Sequence, residues 1–159
     1  MTTHPLNTMS KGFDEYITPE HILRGLGHFD LDPCSPKNPP RKIADRIYTK
    51  EDNGLVQEWN GRVWMNPPYG RSTQLWLCKL SKHGNGIALI FARTDTNAFH
   101  DHVFEKADAV LFIKGRISFE NVEGEVYPHN SGAPSCLVAY GAENRNVLNQ
   151  QKGGVVVNL

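Results

Sequence analysis

Cysteine is scarce in this 159-residue sequence. Cys34, Cys78 and Cys136 are far apart and odd in number, which fits neither a disulfide framework nor a Cys-x-x-Cys zinc site. Free thiols in a reducing cytoplasm are the expectation. No apolar run is long enough to span a membrane. The start, Met1-Thr2-Thr3-His4-Pro5, lacks the basic and then apolar character of a secretory leader. Charge of either sign is not in excess, with 17 Lys plus Arg against 17 Asp plus Glu. That balance excludes a protein that coats nucleic acid by bulk electrostatics, and leaves room for one that touches it through a local patch. Repeats and low-complexity tracts are missing. So is His-Glu-x-x-His. His100 and His102 point to different faces of a helix, so no metal site is expected.

What is present has the composition of one folded domain. Hydrophobic residues make up 39% and charged residues 21%, and the mean hydropathy of −0.46 points to a modest core with long polar loops. Residues 1–13 carry no periodicity and read as a flexible arm ahead of a single domain over 14–159. Thr18-Pro19-Glu20 reads as a helix start, with Thr18 as N-cap and Pro19 in the first turn, and Gly27 as the stop. Phe29–Asp32 reads as a strand running into a proline-rich loop. Arg62–Met65 is a second strand, stopped by Asn66-Pro67-Pro68. A helix is expected over 73–83 behind Ser72, then a buried strand over 86–91, a helix over 96–106 and a strand over 109–113. Arg116–Phe119 and Cys136–Tyr140 read as further strands, paired antiparallel at one edge. Alternating strands and helices give an α/β fold, a mostly parallel sheet with helices on both faces.

Asn66-Pro67-Pro68-Tyr69 carries the chemistry. It follows a strand and precedes a helix, the place where open α/β sheets bind ligands. An amino group on an aromatic ring is a poor nucleophile, because its lone pair is conjugated with the ring. Two acceptors aimed at its two N–H bonds localise that lone pair. The Asn66 side-chain oxygen and the Pro67 carbonyl can be the two acceptors, and prolines hold the backbone in place. Tyr69 can stack on the base. Such catalysis is positional and electrostatic and needs no strong base. The plainer reading of the same four residues is a rigid turn.

The sequence here resembles the S-adenosylmethionine-dependent amino-methyltransferases, whose catalytic motif is Asn-Pro-Pro-Tyr. Thr18-Pro19, Phe29-Asp30-Leu31-Asp32-Pro33, Glu51-Asp52-Asn53-Gly54-Leu55, and Trp59-Asn60-Gly61-Arg62-Val63-Trp64-Met65 running into the motif narrow the likeness. Together with Arg93-Thr94-Asp95-Thr96 and Gly115-Arg116-Ile117-Ser118-Phe119, they resemble the small phage-type Dam family of DNA adenine N6 methyltransferases over about residues 14 to 140. The resemblance implies a Rossmann-like methyltransferase domain, S-adenosyl-L-methionine as cofactor, DNA as partner, and methylation of the adenine N6 amino group. For a phage-encoded chain it implies the bacterial host cytoplasm. It places Asn66, Pro67, Pro68 and Tyr69 in the catalytic set. Thr18, Pro19, Asp30, Asp32, Pro33, Asp52 and Asn66 become candidates for the cofactor. Tyr69, Arg71, Arg93, Asp95 and Arg116 become candidates for base or DNA.

The sequence departs from many methyltransferases in one respect. No Gly-x-Gly follows the first strand, which leads instead into Asp32-Pro33-Cys34-Ser35-Pro36. Asp32 or Asp52 suits the ribose hydroxyls or the methionine ammonium, whereas Asp30 and Asp32 also suit a plain turn. Arg93 and Asp95 fit either a substrate contact or an ion pair, and Arg116 fits either a phosphate contact or loop structure. Trp59 and Trp64 fit core or lid. RNA, cytosine or a protein glutamine are alternative substrates for the same tetrad, and a non-catalytic DNA-binding module is a further one. No room remains for a separate target-recognition region, so the loops 33–60 and 120–134 or a second copy must supply recognition, and monomer and homodimer both stay open. Charge is also segregated. Residues 37–93 hold ten basic against four acidic residues, net +6, and the remainder holds seven against thirteen, net −6.

Overall fold

The computed structural model describes residues 15–159. The expected arm over 1–13 lies outside the described residues. The elements are α1 (Glu20–Leu23), β1 (Phe29–Asp32), β2 (Ala44–Ile47), β3 (Val63–Met65), α2 (Thr73–His83), β4 (Gly86–Phe91), α3 (Asn97–Phe99), β5 (Ala109–Ile113), β6 (Ser135–Tyr140), α4 (Ala142–Asn149) and β7 (Gly154–Asn158). They build one seven-stranded sheet in the order β2-β1-β3-β4-β6-β5-β7. Strands β1 to β5 share one direction, because β1 pairs parallel with β2 and β3, β3 with β4, and β6 lies antiparallel to both β4 and β5. β7 closes the far edge antiparallel to β5. The sheet is therefore mixed but mostly parallel, as in a Rossmann-like methyltransferase. Of the two antiparallel strands, β6 lies inside the sheet between β4 and β5, and β7 forms the edge beside β5.

Buried apolar side chains alternate between the two faces. Val63, Met65, Ala88, Ile90 and Val110 meet Trp76, Leu77 and Leu80 of α2 and Phe99 of α3. Trp64, Ile87, Leu89 and Leu111 meet Leu148 of α4, with Ile22 and Leu23 of α1 beside them. Each fully buried Leu or Ile contributes about 1.5–3 kcal/mol relative to exposure. Helices thus cover both faces of the β3–β4–β6–β5 region. β1 and β2 differ: the connections over residues 33–43 and 48–62 contain no helix. Loops wrap that end of the sheet instead, and the candidate site opens there.

α2 follows its sequence signals closely. Trp76, Leu77 and Leu80 recur on one side, and Gly84 ends the helix at φ 74° with its N–H on the Leu80 carbonyl at 2.9 Å, a conformation that favours glycine. Other expectations need correction. α1 is a single turn that starts after Pro19, and the Thr18 side chain does not cap it. The Thr18 hydroxyl instead accepts from Asn66 Nδ2. The expected helix over 96–106 is the short α3, capped by Thr96, followed by a π-helical turn at His100–Phe104. Arg116–Phe119 is not a strand. Ile17 and Glu120 form an isolated bridge there, and a second joins Glu120 to Val126. β2, α4 and β7 complete the fold without having been expected from the pattern.

Candidate active site

The carboxyl ends of β1, β2, β3 and β4 share one edge of the sheet, since these strands are parallel. Asn66-Pro67-Pro68-Tyr69 leaves the end of β3 at that edge and turns into α2. Asn66 Nδ2 donates to the Tyr16 carbonyl at 2.9 Å and to Thr18 Oγ1 at 3.2 Å. Both amide protons are thereby taken, and the orientation of the side chain follows: Oδ1 is left as an acceptor. It receives the Tyr69 hydroxyl at 3.0 Å.

The backbone carbonyls of the motif are sorted in the same way. The Cys34 thiol donates to the Asn66 carbonyl at 3.2 Å, and the Thr73 hydroxyl donates to the Pro68 carbonyl at 2.8 Å. Among the described residues the Pro67 carbonyl takes no hydrogen bond. Pro67 itself is buried and Pro68 exposed. The Pro67 carbonyl is therefore an open acceptor, and Asn66 Oδ1 beside it is an acceptor held by the Tyr69 hydroxyl alone.

The segment that orients Asn66 is itself tied down. Arg41 donates through Nη1 to the Thr18 carbonyl and through Nη2 to Glu120 Oε2, both at 2.7 Å. Ile17 exchanges backbone hydrogen bonds with Glu120. Three loops that are remote in sequence are thus locked around Asn66 by one partly buried ion pair.

A cavity of about 770 Å³ lies beside the motif, over the end of β1. Thr18, Asp32, Pro33, Glu51, Asn66, Pro67 and Tyr69 are among its walls, together with Ile47, Trp64 and Trp76. Asp32 is buried and accepts one hydrogen bond, from the Cys34 N–H at 3.1 Å. Among the described residues no cation pairs with it. Burial pushes its carboxyl up to about 7, against the lowering effect of that hydrogen bond. Burial and the neighbouring Asp32 also push the Cys34 thiol well up, so Cys34 is a neutral donor rather than a nucleophile. A Cβ on Gly54 would lie 2.0 Å from the Pro33 carbonyl oxygen, so the 49–55 loop can rest on the wall only because this residue is glycine.

A family model, DNA N-6-adenine-methyltransferase (Dam), matches residues 6–150. The chain belongs to the Dam family. No curated protein and no solved structure matches it. Membership assigns the chain to the DNA adenine methyltransferases, with DNA as the substrate class.

Thr18, Asp32, Pro33 and the whole Asn66–Tyr69 motif come together around the cavity, and Pro19 is buried next to it. Asp30 does not join them. It faces the opposite end of β1, where Oδ2 accepts the Arg62 N–H at 2.6 Å. Its other oxygen lies 3.9 Å from His28 Nδ1, whose Nε2 meets Asp45 at 2.9 Å. Asp52 also stands off the wall. It accepts the Thr49 N–H at 2.7 Å and the Thr49 hydroxyl at 2.9 Å, which holds its carboxyl below the usual range and closes the turn. Glu51 lines the cavity in its place, lowered by its own backbone N–H and by the Thr49 hydroxyl.

Tyr69 lies further inward than a free stacking platform would. Its ring stacks on Phe91 with centroids 4.2 Å apart and planes 18° apart, and burial pushes its hydroxyl well up. Arg71, Arg93, Asp95 and Arg116 are exposed on the loops after β3, β4 and β5, outside the cavity wall. Among the described residues no ion pair joins Arg93 to Asp95. The Arg93 guanidinium instead lies 5.7 Å from the Phe91 ring centroid. Trp59 and Trp64 are core residues, 7% and 1% exposed. The sequence pattern did not single out Tyr16, Cys34, Arg41, Lys79 or Phe91. Glu51 carries the same signal as the adjacent Asp52, an acid in the loop between β2 and β3.

No helix among the described residues is long and apolar enough to cross a membrane.

Proposed function

We propose that this Dam-family chain transfers a methyl group from S-adenosyl-L-methionine to the N6 amino group of adenine in DNA. The observation that carries the reading is the pair of acceptors at the end of β3: the Pro67 carbonyl, which is open, and Asn66 Oδ1, which is oriented as an acceptor by the Tyr16 and Thr18 contacts and held only by the exchangeable Tyr69 hydroxyl.

The cavity fits the cofactor by the chemistry of its donor set. A buried carboxyl with no cation beside it suits the ammonium of an amino acid, and binding would return Asp32 to its ionised form. Glu51 suits the ribose hydroxyls, and Pro33, Ile47 and Trp76 supply apolar wall for the base. When bound, the cofactor supplies a sulfonium methyl open to attack by an uncharged nitrogen.

The remaining steps belong to the chain. The target adenine leaves the duplex stack, because its amino group is otherwise paired. Its two N–H bonds meet Asn66 Oδ1 and the Pro67 carbonyl, which localises the nitrogen lone pair. Tyr16 and Thr18 keep the Asn66 amide from turning its own N–H bonds toward the substrate. The Tyr69 hydroxyl must yield Oδ1 to the incoming amino group, and the released ring is then placed to stack on the base at about 1–3 kcal/mol. The extra proton leaves to water after transfer. Arg71, Arg93 and Arg116, on adjacent loops at the same edge, supply phosphate contacts.

Incubation with labelled S-adenosylmethionine and, separately, DNA, RNA and protein tests the substrate class. Label on adenine N6 in DNA is expected. Label confined to RNA, cytosine or glutamine overturns the substrate, and no cofactor binding at all overturns the enzyme.

A further inference from the structure

We propose that Lys79 is a positioning residue for cofactor binding, a clasp whose ammonium holds the 54–57 loop shut so that Glu51 and Asn53 stay on the cavity wall. The proposal rests on the functional reading above and names a residue which that reading does not use.

Lys79 lies on α2, more than a turn beyond Thr73. Its Nζ donates to the Leu55 carbonyl at 2.8 Å, to the Gly54 carbonyl at 3.3 Å and to the Gln57 carbonyl. It also stands 4.9 Å from the Trp59 ring centroid. Among the described residues no carboxylate pairs with it. All three ammonium protons therefore serve backbone carbonyls of a single short loop. A lysine kept for solubility extends into water, whereas this one satisfies carbonyls that have no strand or helix partner.

The carbonyls explain the need for a cation. Three converging carbonyl dipoles repel one another unless a positive charge lies between them. Trp59 Nε1 reinforces the arrangement by donating to the Gly54 carbonyl at 2.8 Å, and Gln57 Nε2 does so by donating to the Asp52 carbonyl at 2.7 Å. The closed loop then rests against Pro33, where Gly54 makes its close approach. Glu51 and Asn53, the residues on either side of the Asp52 turn, face the cavity as a result.

α2 therefore holds both halves of the site. At its first turn Thr73 Oγ1 donates to the Pro68 carbonyl and accepts the Gly70 N–H at 3.2 Å, which fixes the catalytic loop. Further along, Lys79 fixes the cofactor loop. The effect of removing Lys79 should fall on cofactor affinity and not on the chemical step, because Asn66, Pro67 and Tyr69 are anchored independently of it.

The test is calorimetric titration of S-adenosylmethionine into wild type, Lys79→Met and Lys79→Arg, with steady-state methylation alongside. Lys79→Met is expected to raise Kd and KM for the cofactor about tenfold or more and to change kcat at saturation by less than about threefold, with partial rescue by Lys79→Arg. Wild-type affinity in a folded Lys79→Met, or a loss confined to kcat, overturns the clasp. Lys79→Gln gives a second measurement should Lys79→Met fail to fold. Hydrogen exchange across 54–57 is expected to be faster than in the wild type, and unchanged exchange there overturns the proposal. A wild type that binds no S-adenosylmethionine overturns the functional reading itself, and the clasp with it.

Discussion

The Tyr69 hydroxyl donates to Asn66 Oδ1 at 3.0 Å. One member of the motif thus occupies the acceptor that, in the proposed mechanism, another member offers to substrate. In that mechanism the hydroxyl stands where an adenine N–H would stand, and the Tyr69 ring is stacked on Phe91.

Tyr69→Phe keeps the ring and frees the acceptor. Activity is expected to survive, with KM for DNA equal to or below wild type. Tyr69→Ala removes the stacking surface and should lower kcat/KM roughly 10- to 100-fold, in line with about 1–3 kcal/mol per stacked base. Steady-state kinetics on one duplex compares the two variants.

The Arg41–Glu120 pair fixes the segment that orients Asn66. Glu120→Gln should lower stability by about 1–3 kcal/mol, the range for a charged hydrogen bond left partly unmet. It should also lower kcat, because the Thr18 segment loosens. Urea unfolding measures the first effect and saturating kinetics the second. Thr18→Val, which deletes one of the two acceptors on the Asn66 amide, should lower kcat several-fold with little change in cofactor affinity.

Asp32 gives the site a pH dependence. Its carboxyl titrates near 7 in the folded chain and near 3.8 unfolded, so the folded state holds more protons between those values. Stability of the ligand-free protein should therefore fall as pH rises from about 4 to above 7, by at most about 4 kcal/mol from this group. Asp32→Asn should flatten that slope and stabilise the ligand-free protein above neutrality. Cofactor affinity should run the opposite way in the wild type, rising through pH 7 as Asp32 ionises, and should be low and flat in Asp32→Asn. Thermal melts and calorimetry across pH check both trends.

Arg71, Arg93 and Arg116 are exposed on neighbouring loops. Alanine at each should weaken DNA binding about equally across sequences and reduce the log-log salt slope by about one. Fluorescence anisotropy over a range of salt measures it.

The parts of the fold that sequence patterning revealed are those where burial follows periodicity. Phe29–Asp32, Gly86–Phe91 and Ala109–Ile113 lie where the apolar runs place them. α4 escaped because its buried positions include a polar one. Asn144 is fully buried, donates to the Tyr140 carbonyl at 2.7 Å and to Asn85 Oδ1 at 2.9 Å, and accepts from Arg62 Nε at 2.6 Å. A hydrogen-bonded asparagine has no hydrophobic signature. β7 had a usable signal in Val155-Val156-Val157 between glycine and asparagine, but Val155 and Val157 are exposed on an edge strand. In the site, Asn66–Tyr69 was legible because the residues of the motif are adjacent in sequence. Tyr16, Arg41 and Lys79 were not, because each acts on a residue remote in sequence. Asp30 and Asp52 stand off the cavity wall that Asp32 lines, a difference the sequence does not carry because a carboxylate bound to backbone N–H and one that faces a cavity are the same letter.

Asn66→Ala, assayed for transfer of labelled methyl from S-adenosylmethionine to DNA, bears most directly on the central claim. Wild type is expected to label adenine N6, and Asn66→Ala to lose that label while remaining folded and binding cofactor with nearly wild-type affinity. Adenine labelled at the wild-type rate by Asn66→Ala, or no label from the wild type, would contradict the assignment of Asn66 Oδ1 as the acceptor that readies the amino group.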